Sequence, residues 1–146
     1  MSLLQPILSA NGMRAADRAT IEGWGVPGRV LMETAGRTAA DAIAARYPVD
    51  GAHVTVLAGH GNNGGDALVV ARVLAARGAT VRCLTLATGA NATDDTAANL
   101  ALLTRLAESD DRLDVVPFED VRQVANAPAD LVVDGLLGIG ARGPLR

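Results

Sequence analysis

Hydrophobic positions change their period once along this chain, and the change divides it in two. From Asn11 to Tyr47 apolar and alanine residues recur at helical spacing. The run Gly23-Trp24-Gly25-Val26-Pro27-Gly28 interrupts that pattern with turn-forming residues, so residues 11–47 read as two helices. Pro27 is placed to open the second, because its fixed φ suits a first helical turn. Val30, Leu31, Thr34, Thr38 and Ile43 fall along one side of that helix, Pro48 to Gly51 ends it, and Trp24 and Tyr47 are the expected anchors of the pair.

From residue 53 onward strand and helix patterns alternate. Val54 to Ala58 is a short β-branched run, followed by the glycine loop Gly59 to Asp66 and a helical stretch from Ala67 to Ala76. Thr80 to Leu86 predicts a second strand, Thr93 to Glu108 a helix, Leu113 to Val116 a weaker strand, Glu119 to Asn126 a helix, and Ala129 to Asp134 a fourth strand. Parallel strands need crossovers, and right-handed crossovers put helices outside the sheet. The expected architecture is Rossmann-like α/β: three layers, α/β/α, with a parallel sheet behind two N-terminal helices. Nothing between residues 1 and 146 reads as a linker, so one domain is expected. The helix and further strands that should follow the loop Gly138 to Pro144 are absent, so the C-terminal part of the sheet is expected to be missing.

Composition narrows the chemistry. Half of the 146 residues are hydrophobic (49%), enough for a core, and the formal charge is −3 with scattered basic residues, which argues against a polyanionic partner such as nucleic acid. Every basic residue is Arg. A chain without Lys cannot form a Schiff base, use a catalytic lysine or build a lysine phosphate loop. One Cys and two His cannot form a His/Cys metal cage, so a bound metal would have to prefer oxygen. The lone Cys83, in an apolar run, and an N-terminus without signal-peptide character or a membrane-spanning stretch point to the cytoplasm.

Ligands of open α/β sheets sit beyond the carboxyl ends of the strands, which directs attention to the loops after the first and fourth strands. The first, Gly59-His60-Gly61-Asn62-Asn63-Gly64-Gly65-Asp66, matches G-x-G-x-x-G. The acid that would hold an adenine ribose is missing from the end of the next strand, Leu84-Thr85-Leu86-Ala87, which demotes ordinary NAD binding. Asn62, Asn63 and Asp66 make a polar cluster richer than helix capping needs, since one cap suffices. Asp134 ends the fourth strand, and with Asn63 it offers oxygen to a hard cation. Gly138, Ile139, Gly140, Ala141, Arg142, Gly143 and Pro144 allow close backbone approach to a ligand, with Arg142 available to a phosphate. His60 lacks an orienting carboxylate and is expected only to line its loop, while Glu33 is expected to be solvated beside the closely packing Ala35 and Gly36.

Four segments together resemble the NAD(P)H-hydrate epimerases with their YjeF-type N-terminal domain: Met13-Arg14-Ala15-Ala16-Asp17, Leu31-Met32-Glu33-Thr34-Ala35-Gly36, the Gly59 to Asp66 loop, and Asp134-Gly135-Leu136-Leu137-Gly138-Ile139-Gly140. The resemblance implies a Rossmann-like, often dimeric isomerase that interconverts the R and S forms of hydrated NADH or NADPH in nucleotide repair, sometimes fused to an ADP- or ATP-dependent NAD(P)H-hydrate dehydratase. It implies that Asn62, Asn63, Gly64, Gly65 and Asp66 bind substrate together with Gly138 to Pro144, that Asn63 and Asp134 ligate potassium, and that Asp66 or Asp134 transfers the proton. Thr34 replaces the family's usual Asn, and the family's Asp-x-Pro-Ser-Gly segment is not in this chain. The competing readings are an ordinary NAD(P)-binding domain and a non-catalytic module binding a nucleotide or a protein.

Overall fold

A computed structural model describes residues 7–86, 91–126 and 128–141. Helix α1 (Ala10–Arg18) starts where the Ser9 hydroxyl accepts from the Gly12 N–H, and it runs into a π-helical turn, Ala19–Gly23. Gly25, at φ 71°, then makes the reversal that leads to α2 (Gly28–Ala44), with Pro27 as its N-cap. The rest alternates: β1 (His53–Ala58), α3 (Asn62–Ala76), β2 (Thr80–Thr85), α4 (Asp94–Ala107), β3 (Leu113–Pro117), the short α5 (Arg122–Ala125) and β4 (Leu131–Gly135). All pairings are parallel and the strand order is β3-β2-β1-β4.

The strands follow from the β-branched runs, and their order shows where ligands of an open α/β sheet would sit. Two successive crossovers, through α3 and α4, build outward from β1 to β3, and α3 packs on β1, β2 and β4. The chain then returns past the whole sheet to set β4 on the other side of β1. Direction therefore reverses between β1 and β4, and open α/β sheets hold ligands at the carboxyl ends of the strands flanking such a reversal.

The core lies on the α3 side. Val54, Val56 and Ala58 of β1, with Val81 and Cys83 of β2, meet α3, whose residues from Ala67 to Ala71 are all buried. Burial on every side of a helix means it is enclosed. The sheet covers one flank of α3, and α2 and α4 cover the others. Cys83 is 0% exposed, and this burial, with the charge of Asp114 second, pushes its thiol up to about 12, so it is a packing residue. Among the described residues no helix is long and apolar enough to cross a membrane.

Three expectations about the helical segment are corrected. The inner face of α2 is Met32, Gly36 and Ala40, spaced by four, with Ile43 packed against the core beyond them, whereas Val30, Thr34 and Thr38 of the expected stripe are exposed. Small residues win because α2 approaches α3 closely: a Cβ on Gly36 would fall 2.5 Å from Val69 Cβ. Thr34 and Thr38 instead bond back to the Val30 and Thr34 carbonyls. Glu33 is not merely solvated, since it accepts from Arg72 of α3 at 2.5 Å and from Arg37 at 2.6 Å, tying the two helices together. Trp24 is 84% exposed and Tyr47 50%, so neither anchors the helices.

Candidate active site

Helix α3 begins at Asn62, five residues before the apolar pattern at Ala67 suggests, so Asn62 to Asp66 form its first turns rather than a free loop. Its N-cap is Gly61, and no side chain caps it. Asn and Gly are poor helix formers, and here tertiary contact overrides propensity. A Cβ on Gly64 would lie 1.8 Å from the Gly59 carbonyl oxygen, and one on Gly65 would press into Met32 Sδ at 2.5 Å and Thr96 Oγ1 at 2.7 Å. The glycines let the helix start fold back under its own loop, and they allow α2 and α4 to reach it.

The polar residues of this turn point elsewhere than to the cap. Asn62 Oδ1 accepts from the Thr93 hydroxyl at 3.0 Å, and the buried Thr96 hydroxyl donates to the Gly61 carbonyl. Asn63 Nδ2 donates to the Leu137 carbonyl at 3.0 Å, which leaves its amide oxygen as the atom it can offer to a ligand. Asp66, half-buried, makes no hydrogen bond to any described residue. Burial first, and the charge of Asp17 on α1 second, push its carboxyl up to about 6.

The second loop closes directly onto the first. The register pairs Leu57 with Asp134 and Ala58 with Gly135. The Gly59 N–H donates to the Gly135 carbonyl at 3.1 Å, and a Cβ on Gly59 would collide with the Leu136 carbonyl oxygen at 2.2 Å. Cβ atoms on Gly135 and Gly138 would likewise meet the Asn63 carbonyl at 3.0 Å and Asn63 Cβ at 3.1 Å. Glycine at 59, 64, 135 and 138 is thus the condition for two backbones to touch. Asp134 is exposed at the strand end, and its Oδ1 accepts from the Leu136 N–H at 2.9 Å, leaving the other oxygen to a ligand. Gly138, Ile139, Gly140 and Ala141 form an exposed rim closed by the Ala141 N–H on the Gly138 carbonyl. Arg142, Gly143 and Pro144 lie outside the described residues.

The fold therefore brings the first turns of α3, Asn62 to Asp66, into contact with the loop that follows Asp134 and runs through Gly138 to Ala141. His60 is exposed on its edge, contributing its carbonyl to Thr93 N–H. Sequence reasoning assigned no role to Asn11, Arg14 and Asp17 of α1, yet Arg14 reaches the second loop and Asp17 acts on Asp66. The signal was available in the Met13 to Asp17 motif, although nothing in its spacing says what it faces. The arrangement can hold an extended polar ligand against backbone amides and can offer it one carboxyl group near neutrality.

Comparison with known proteins supplies a context. Residues 28–146 match the family described as YjeF-related protein N-terminus. The chain is 44% identical over 153 residues to the bifunctional NAD(P)H-hydrate repair enzyme Nnr of Salinibacter ruber, covering 99% of this chain and 28% of that protein. It is 38% identical to the NAD(P)H-hydrate epimerase of Rhodopirellula baltica and 34% to that of Limosilactobacillus fermentum, covering 55% and 64% of those proteins and 97% and 98% of this chain. The crystal structure of yeast ynu0 has the same fold, with a TM-score of 0.81 at 24% identity over 97% of this chain and 60% of that one. The chain thus spans less than two thirds of each of these relatives.

Proposed function

The chain belongs to the family of YjeF-related N-terminal domains, and from that membership we propose that the protein is an isomerase that interconverts the R and S forms of hydrated NADH and NADPH. The observation that carries the reading is the contact of the two glycine loops at the β1/β4 crevice, sealed by Asn63 on the Leu137 carbonyl and flanked by a half-buried Asp66. The amide N–H groups at the start of α3 and the dipole behind them suit the phosphates of a dinucleotide. The rim from Gly138 to Ala141 is exposed beside them. A capping role for Asn62, Asn63 and Asp66 is disfavoured because none of the three caps the helix.

In this reading Asp66 is the acid and base. Protonated, it gives its proton to the C6 hydroxyl of the hydrated ring; the C–O bond breaks, water leaves, and the ring nitrogen lone pair takes up the charge as an iminium ion. Water then adds to the other face while the Asp66 carboxylate recovers the proton. Atoms and charge balance, and no redox partner is needed. A carboxyl poised at about 6 serves both directions near neutral pH, whereas Asp134 is exposed and engaged with the Leu136 N–H.

Potassium fits the donor set. Asn63 retains its amide oxygen and Asp134 one carboxylate oxygen, both hard neutral or anionic ligands, on loops already in contact. When bound, the ion would supply positive charge that draws those two oxygens together. The cytoplasm, a homodimer, and fusion in the full protein to an ADP- or ATP-dependent NAD(P)H-hydrate dehydratase complete the proposal; the bifunctional name of the Salinibacter ruber relative supports the last. The test is to incubate the full-length protein with one purified epimer of hydrated NADPH. Convergence to a mixture of R and S is expected in potassium buffer, and persistence of the single epimer would refute the assignment.

A further inference from the structure

Helix α1 has no buried residue, so packing alone does not explain its place beside the crevice. Its Arg14 Nη1 donates to the Ile139 carbonyl at 3.0 Å, a bond between residues 125 positions apart. On the same guanidinium, Nη2 donates to Asn11 Oδ1 at 2.6 Å, one helical turn back. Asn11 thereby sets the orientation of the guanidinium, and the other nitrogen holds the loop. Ile139 stands between two glycines, is 54% exposed, and so lacks both backbone stiffness and burial of its own. Asn63 holds the carbonyl two residues earlier, at Leu137, from the α3 side. The second glycine loop is therefore held at two carbonyls by side chains from two different helices.

We propose that Arg14, oriented by Asn11, is a positioning residue that fixes the second glycine loop in its nucleotide-binding shape, an inference that rests on the epimerase reading. Arginine is required for geometric reasons: two nitrogens of one rigid plane serve two acceptors at once, and the single ammonium of lysine cannot reproduce that fork. Holding a loop in advance lowers the ordering cost of binding, so its loss appears as weaker substrate affinity with the chemical step intact.

The experiment uses Arg14→Ala, Arg14→Lys and Asn11→Ala in the full-length protein, with hydrogen exchange and steady-state kinetics on hydrated NADPH read in parallel. Arg14→Ala is expected to speed exchange of the 137–141 amides about tenfold, as loss of one restraining hydrogen bond implies, and to leave the β1 and α3 amides unchanged. KM should rise about tenfold with kcat within about threefold. Arg14→Lys should recover little, and Asn11→Ala should give a smaller shift of the same kind. Unchanged exchange at 137–141, or faster exchange with KM unmoved, would overturn the proposal. Were the parent protein inactive on hydrated NADPH, the epimerase reading would fall while the exchange arm still decided whether Arg14 holds the loop.

Discussion

If Asp66 is the proposed acid and base, stability and chemistry oppose each other there. Its folded carboxyl titrates at about 6 against an ordinary value of 3.8, so the folded chain binds more protons than the unfolded chain between those limits. That difference makes Asp66 cost stability as pH rises from near 4 to near 6, and the cost persists at pH 7. Asp66→Asn removes it. The variant should melt about 2–4 °C higher at pH 7, a modest gain because the group is partly solvated, and equally with the parent below pH 3.8. Its epimerisation rate should fall by about 10²–10⁴. Equal melting of variant and parent at pH 7 would show that the Asp66 carboxylate is not held at a cost. The parent's own rate should bend near pH 6 in a profile that the variant lacks. Asp66 was legible in sequence as part of a polar cluster, but the burial that sets it apart from the exposed Asp134 was not. Its raised carboxyl depends on burial and on Asp17 of α1, a neighbour that only the folded chain brings near.

At the scale of elements, the strands were legible because β-branched runs bounded by turns admit few alternatives. The start of α3 was not. Its first turns are written in Asn and Gly, residues whose intrinsic preference is against helix, and what holds them is contact with Gly59, Met32 and Thr96. The inner face of α2 was hidden for a related reason, since hydrophobicity weights Val30 and Leu31 while the fold uses Gly36 and Ala40 to bring helices close. These glycines make separable predictions. Gly36→Ala drives a methyl into Val69 and should destabilise by about 1–3 kcal/mol in denaturant titration, with the folded fraction retaining its activity. Gly59→Ala collides with the Leu136 carbonyl, so the two loops must part. It should lose substrate binding and activity even under conditions where the chain stays folded. Full activity in folded Gly59→Ala would mean that the contact between the loops is dispensable.

For the molecule as a whole, the reversal of direction between β1 and β4 brings the two loops together, and the proposed cation is the test of whether they act as one. If Asn63 and Asp134 ligate potassium, KCl should raise the melting midpoint above that in NaCl at equal ionic strength, since a ligand of the folded state alone stabilises it. Asp134→Asn should reduce the difference, and identical midpoints for the parent in both salts would count against the ion. The order of strands was only partly legible: the βα rhythm implied a parallel sheet, but the placement of β4 beside β1 depends on pairing that no local pattern encodes. A hollow of about 590 Å³ lies between α2 and α4 and is lined by Val30, Thr34, Asn99 and Leu102 among others. It gives the account a concrete rival. The decisive measurement is a titration of the isotope-labelled protein with hydrated NADPH, followed through backbone amide resonances. The crevice account predicts that shifts concentrate in Gly61–Asp66 and Gly135–Ala141 and saturate together. Shifts confined to the walls of the α2–α4 hollow, with both glycine loops silent, would contradict it.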